Sequence, residues 1–69
     1  MNKLTEKLGK NMERIRTEKG MTQGDIHRDT GLDRAYISRV ESGLTNPTIF
    51  NLDKIAKALG VKPDELLRY

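Results

Sequence analysis

The chain has 69 residues, with 13 Lys and Arg against 10 Asp and Glu, one His, no Cys and a net charge of +3. That length holds a single domain, 1–69, and a fold of about 60 residues buries only about 60% of the surface its unfolded chain exposes, so dimerisation is the expected supplement to a small core. The lack of cysteine excludes disulfides, thiolate zinc sites and a cysteine nucleophile, one histidine cannot build an imidazole metal cluster, and the longest apolar run (35–37) is far short of a membrane span. No cofactor, small-molecule ligand or membrane partner is expected, and the default location is the cytoplasm.

Residues 1–43 carry nine basic and seven acidic side chains, and 44–69 carry four and three. With no basic tail or block, recognition of a polyanion must rest on where particular arginines point.

No segment alternates like a half-buried strand, and the pattern predicts an all-α fold. Gly20, Gly31, Gly43 and Gly60 each follow a stretch of helical apolar spacing and are expected to cap it, whereas Gly9 and Gly24 fall inside helices. A first helix over 3–19 aligns Leu4, Leu8, Met12 and Ile15 on one face. A second helix over 23–29 starts at Thr22 as N-cap, with Asp25 as the capping-box acid. A third starts from an Asp33 cap and continues to Ser42, with Leu44 expected to fold back on Val40. Pro47 holds Asn46 extended. Thr48 then caps a fourth helix with the stripe Ile49, Leu52, Ile55, Ala56 and Leu59. A short fifth helix begins at Pro63, with Asp64 and Glu65 near its positive end and Val61 stapled against Leu66.

Two short helices joined by a Gly-containing turn form the pattern of a helix-turn-helix, whose second helix enters the DNA major groove. At about 100° per residue from Arg34, Ser38, Ser42, Ala35 and Arg39 fall within about 140°, while Tyr36, Val40 and Ile37 fall between about 200° and 300°. One arc is apolar and the other is Arg, Ala, Ser, Arg and Ser. Arg can bond guanine O6 and N7 in bidentate fashion, Ala leaves room for a thymine methyl, and Ser bonds either base type. The same arc would also suit a solvated surface carrying two ordinary arginines.

Thr22-Gln23, Ile26, Gly31-Leu32, Tyr36-Ile37-Ser38, Val40-Glu41-x-Gly43, Pro47-Thr48-Ile49, Leu52-x-x-Ile55-Ala56-x-Ala58-Leu59-x-Val61 and Leu66-Leu67 occur together and in order. In this the chain resembles the Cro and lambda-repressor type, or XRE-like, helix-turn-helix family over about 12–67. With Leu32-Asp33-Arg34-Ala35-Tyr36-Ile37-Ser38 in a stand-alone domain, it is similar to the controller proteins of restriction–modification systems, although small phage and plasmid repressors share most of the pattern.

The resemblance implies a compact five-helix bundle of lambda-repressor type, with helices two and three as the helix-turn-helix. It implies a homodimeric transcriptional regulator on double-stranded DNA, at a palindromic operator, with RNA polymerase as a further candidate partner. It assigns base contacts to Arg34, Ala35 and Arg39, to which the projection adds Ser38. Backbone contacts fall to Thr22, Gln23, Tyr36, Ser42, Thr45 and Asn46, with Gln23 also bracing the recognition helix. Tyr36 projects on the edge of the buried arc, so its ring can equally pack in the core with the hydroxyl at the surface.

Arg16 and Glu41 occupy positions that pair in this family and read as a structural ion pair, although Arg16 could instead reach a phosphate. His27 stands where the family has a small residue, because the two motif helices cross closely there. A side chain this large must turn outward, enlarge the crossing or displace a neighbour; the expected solution is a packed neutral ring, in which case protonation in mild acid would loosen the motif. Thr30 also replaces a small apolar residue and its hydroxyl needs a local partner. Phe50 projects away from the stripe of the fourth helix. With Val61, Leu66, Leu67 and Tyr69 it is assigned to a dimer interface, the alternative being a ring folded over the first helix.

An enzyme is not expected, since no catalytic triad pattern, metal cluster or phosphate loop is present. The competing class is a helical protein-interaction module that offers the same outward face to a protein.

Overall fold

The computed structural model describes residues 3–68. Helix α1 spans Lys3–Glu18, α2 Gln23–Thr30, α3 Arg34–Glu41 and α4 Ile49–Leu59, and a short 3-10 helix follows at Pro63–Leu67. Four α-helices therefore stand where five were expected. Pro63 has no N–H, the segment is only five residues long, and Glu65 N donates to Lys62 O at 3.0 Å in the tighter three-residue pattern that short helical pieces adopt.

The helix ends follow from local chemistry. Met21, Leu44 and Val61 each donate their N–H to the carbonyl five residues earlier, on Arg16, Arg39 and Ala56, and thereby satisfy carbonyls that the ended helices leave open. The Thr48 hydroxyl accepts from Asn51 N at 3.1 Å and caps α4. Asp33 occupies the cap position of α3 but its side chain accepts no capping bond, contrary to expectation.

Leu8, Met12 and Ile15 of α1, Ile26 of α2, Ile37 and Val40 of α3, Leu52, Ile55, Ala56 and Leu59 of α4, and Leu66 form one buried core. Leu4, Leu44 and Ile49 lie outside it. Leu44 completes the backbone turn after α3, yet its side chain is 61% exposed and does not fold back into the core. Ile49 lies on the apolar stripe but is the first residue of α4, and it is 85% exposed.

Helix α1 packs against α3 and the 3-10 helix, and α2 against α3 and α4. The α1–α3 crossing is close because of Gly9: a Cβ there would stand 2.3 Å from the Glu41 carbonyl oxygen and 2.7 Å from that of Val40. Asn11, buried in α1, donates to the carbonyls of Leu66 and Arg68 at 2.9 and 2.7 Å and ties the C-terminal segment to the first helix. Among the described residues, no buried side-chain nitrogen or oxygen lacks a hydrogen-bond partner. No helix among them is long and apolar enough to cross a membrane.

Candidate nucleic-acid interface

Helix α2 begins with a complete capping box. The Thr22 hydroxyl accepts from Asp25 N at 3.0 Å, and Thr22 N donates to the Asp25 carboxylate at 2.9 Å. That backbone bond, with help from Arg28 at 3.0 Å, holds the Asp25 carboxyl below the usual aspartate range.

The turn after α2 places Gly31 at φ 76°, a left-handed geometry that glycine adopts without a Cβ clash. The Thr30 hydroxyl donates to Ile26 O at 2.7 Å and accepts from Leu32 N at 3.1 Å, so the turn itself supplies the partner this polar replacement needs. His27 is exposed, not packed between the helices, and its Nδ1 lies 2.6 Å from Leu32 O. Because a carbonyl only accepts, Nδ1 carries the proton. The expected acid loosening loses its basis, because it required a ring packed between the helices.

Helix α3 turns Ile37 and Val40 fully into the core and leaves Arg34, Ala35, Ser38, Arg39 and Ser42 exposed, which is the division the projection anticipated. Tyr36 sits between the two arcs. Its ring packs against the core, and its hydroxyl accepts from Asn51 Nδ2 at 3.2 Å, linking α3 to α4. The Arg34 side chain reaches the start of α2, since a Cβ built on Gly24 would stand 3.7 Å from Arg34 Cζ and 3.5 Å from the Thr22 hydroxyl. The Arg34 guanidinium and Thr22 therefore flank Gly24 at one end of the outward face, whereas the half-buried Gln23 side chain turns to Glu41. Ser42, half-buried Thr45 and exposed Asn46 follow the other end of α3, which an eight-residue helix separates from the first by about 12 Å.

Glu41 braces this arrangement from behind. Arg16 Nε and Nη2 donate to its two carboxylate oxygens at 2.6 and 3.1 Å, Gln23 Nε2 donates at 3.0 Å, and Arg16 Nη1 donates to Met21 O at 2.8 Å. One carboxylate thus joins α1, α2 and α3, and the Glu41 side chain is only 4% exposed. Hydrogen bonding to Glu41 raises Arg16 above its ordinary value, so the guanidinium stays charged. Three of the five Arg16 N–H donors are thus engaged within the protein, on Glu41 and Met21, and its side chain is 13% exposed.

The residues assigned to a dimer interface divide. Phe50 is 77% exposed, so it does not fold over α1, and Lys54 Nζ lies 5.8 Å from its ring centroid. Leu67 is partly exposed, and Val61 is half-buried against the core. Leu66 is fully buried and belongs to the core, because the 3-10 helix turns it inward where a surface position had been expected. Tyr69 lies outside the described residues. Ile49, assigned from its spacing to the core, instead joins Phe50 at the exposed start of α4.

The helix-turn-helix family model matches residues 12–66. The chain is 42% identical over 60 residues to an uncharacterised HTH-type transcriptional regulator, y4dJ, of Sinorhizobium fredii, covering 87% of this chain and 78% of that protein. The crystal structure of the restriction–modification controller protein C.AhdI from Aeromonas hydrophila is similar at TM-score 0.86 and 39% identity, covering 90% of this chain and 94% of that one. The controller protein C.Esp1396I, solved as a tetramer with its natural 35 base-pair operator, is similar at TM-score 0.84 and 37% identity, over 99% and 100% of the two chains. With this match over most of its length, and the braced helix pair at α2 and α3, the chain belongs to the XRE-type helix-turn-helix family and within it resembles the restriction–modification controller proteins.

Proposed function

We propose that the protein is a sequence-specific DNA-binding transcriptional regulator of the controller type, acting as a homodimer on an operator with two-fold symmetry. The observation that carries this reading is the exposed arc of Arg34, Ala35, Ser38 and Arg39 on a helix whose opposite side is locked in the core. A rigid helix with that arc fits the major groove, where the arginines would take guanine and Ala35 and Ser38 would lie against neighbouring bases. The N–H groups of Gln23 and Gly24, which the Thr22–Asp25 capping box leaves open, lie at the positive end of α2 and would suit a phosphate together with the Thr22 hydroxyl. The Tyr36 hydroxyl, which accepts from Asn51, retains its own proton for a phosphate oxygen. Ser42, Thr45 and Asn46 would hold the backbone at the far end of α3 and set register without reading sequence.

Ile49 and Phe50, with Leu67, offer the exposed apolar surface from which a two-fold dimer would be built. Its recognition helices would then sit about one helical turn of DNA apart, about 34–36 Å. Restriction–modification control is the specific role that the relatives' names favour, and regulation of its own promoter, in the cytoplasm, is our reading of how such a role would be carried out. Selection from a random DNA library tests the reading: a palindromic site bound with steep salt dependence supports it, and recovery of no preferred sequence overturns it.

A further inference from the structure

We propose that His27 is a positioning residue for the recognition helix, acting as a strap across the turn between α2 and α3. The backbone of Leu32 is held at both polar groups by side chains of α2. Its N–H donates to the Thr30 hydroxyl at 3.1 Å, and its carbonyl accepts from His27 Nδ1 at 2.6 Å. Leu32 is two residues ahead of Arg34, where α3 begins, and its own side chain packs against the core. Fixing the two peptide groups on either side of Leu32 therefore sets the direction in which α3 leaves the turn.

The usual device for that task is missing, because Asp33 makes no side-chain capping bond to α3. The exposed His27 ring spans five residues and holds a carbonyl that an alanine could not touch. Thr30 holds the N–H of the same residue. The two side chains thus form one device, and what it positions is the guanidinium-bearing start of α3.

This role rests on the DNA-binding reading, so its test separates the two. The wild-type chain, His27→Ala and His27→Gln are compared by binding to a duplex selected from a random library and to a scrambled duplex of equal length. Amide hydrogen exchange over residues 32–38, which includes the bonded N–H groups of Leu32 and Ile37, is measured without DNA. Alanine is the better helix former, so loss of function in His27→Ala cannot be attributed to a weaker α2. His27→Ala is expected to accelerate exchange over 32–38 and to weaken binding to the selected duplex by about 3- to 10-fold, the scale of one hydrogen bond. Binding to the scrambled duplex should be unchanged. His27→Gln, whose amide N–H can reach the same carbonyl, should restore most of both. Unchanged exchange and selectivity in His27→Ala overturn the strap, as does an equal loss on both duplexes, which would make the ring a phosphate contact. If the wild-type chain prefers no duplex, the DNA-binding reading fails and exchange alone decides: acceleration in His27→Ala, reversed in His27→Gln, upholds the strap, and wild-type exchange overturns it.

Discussion

Glu41 accepts three hydrogen bonds, two from Arg16 and one from Gln23, in a site almost closed to water. Such a group adds little net stability when satisfied, but removing one partner strands the other. Glu41→Ala is therefore expected to destabilise the fold by about 3–5 kcal/mol, most of what a domain of this size has, and urea unfolding would register the loss. On the outward side, Arg34→Ala and Arg39→Ala should each weaken binding to the selected operator by about 1–3 kcal/mol and relax base preference at one position. Equal losses on operator and random DNA would instead make them phosphate contacts. Asp25 carries a pH effect of defined sign. Its native carboxyl is held below the ordinary value by Thr22 N–H, so the stability it contributes is complete above the unfolded value of about 3.9 and disappears as pH falls through the lower native value. In Asp25→Asn, the loss of thermal stability between neutral pH and about pH 3 should be smaller than in the wild-type chain. The Thr22–Asp25 box was readable from residue type and spacing because it is local, and the Arg16–Glu41 pair was implied by the family resemblance. The His27 and Asn11 bonds were not, since each depends on a carbonyl whose position no side-chain pattern records.

Two glycines within helices respond oppositely to the same change. Gly9 faces the backbone of α3 with no room for a methyl group, and Gly24 faces the side chains of Thr22 and Arg34 at ordinary contact distance. Gly9→Ala must push α1 from α3 at about 1–3 kcal/mol, lowering the melting temperature by about 4–8 °C per kcal/mol. Gly24→Ala should be neutral or stabilising by up to about 1 kcal/mol through helix propensity. Thermal unfolding followed by circular dichroism measures both, and equal shifts for the two variants would contradict the close α1–α3 crossing. Helix starts and stops were readable because threonine, glycine and proline act on the backbone beside them. The fifth element was read as a helix from its proline and acids, but five residues favour 3-10 geometry. Ile49 was read as core because periodicity describes a face of a helix and not how far the neighbouring elements extend along it.

For the molecule as a whole, the exposed start of α4 is where association is expected. Phe50→Asp removes an apolar ring that contributes no core contact in the protomer, so the fold should melt within a few degrees of the wild-type chain. Sedimentation velocity should show a shift to monomer, and operator affinity should fall by more than tenfold as the paired half-sites are lost. A variant that remains dimeric would move the interface elsewhere. The net charge of +3 is too evenly spread to steer DNA strongly, so the salt dependence of binding should reflect a few fixed phosphate contacts.

Composition, helix periodicity, capping residues and the ordered motif were enough to specify an all-α helix-turn-helix domain and to place Arg34, Ala35, Ser38 and Arg39 on its outward face. These properties depend on the residue type and its phase along one helix, both of which are written in the chain. Which apolar residues are enclosed, how closely α1 approaches α3, and which carbonyls His27 and Asn11 hold depend on where separate helices meet. Leu66 and Ile49 exchanged their expected places because the inward turn of the 3-10 helix covers one, while nothing reaches far enough along α4 to cover the other.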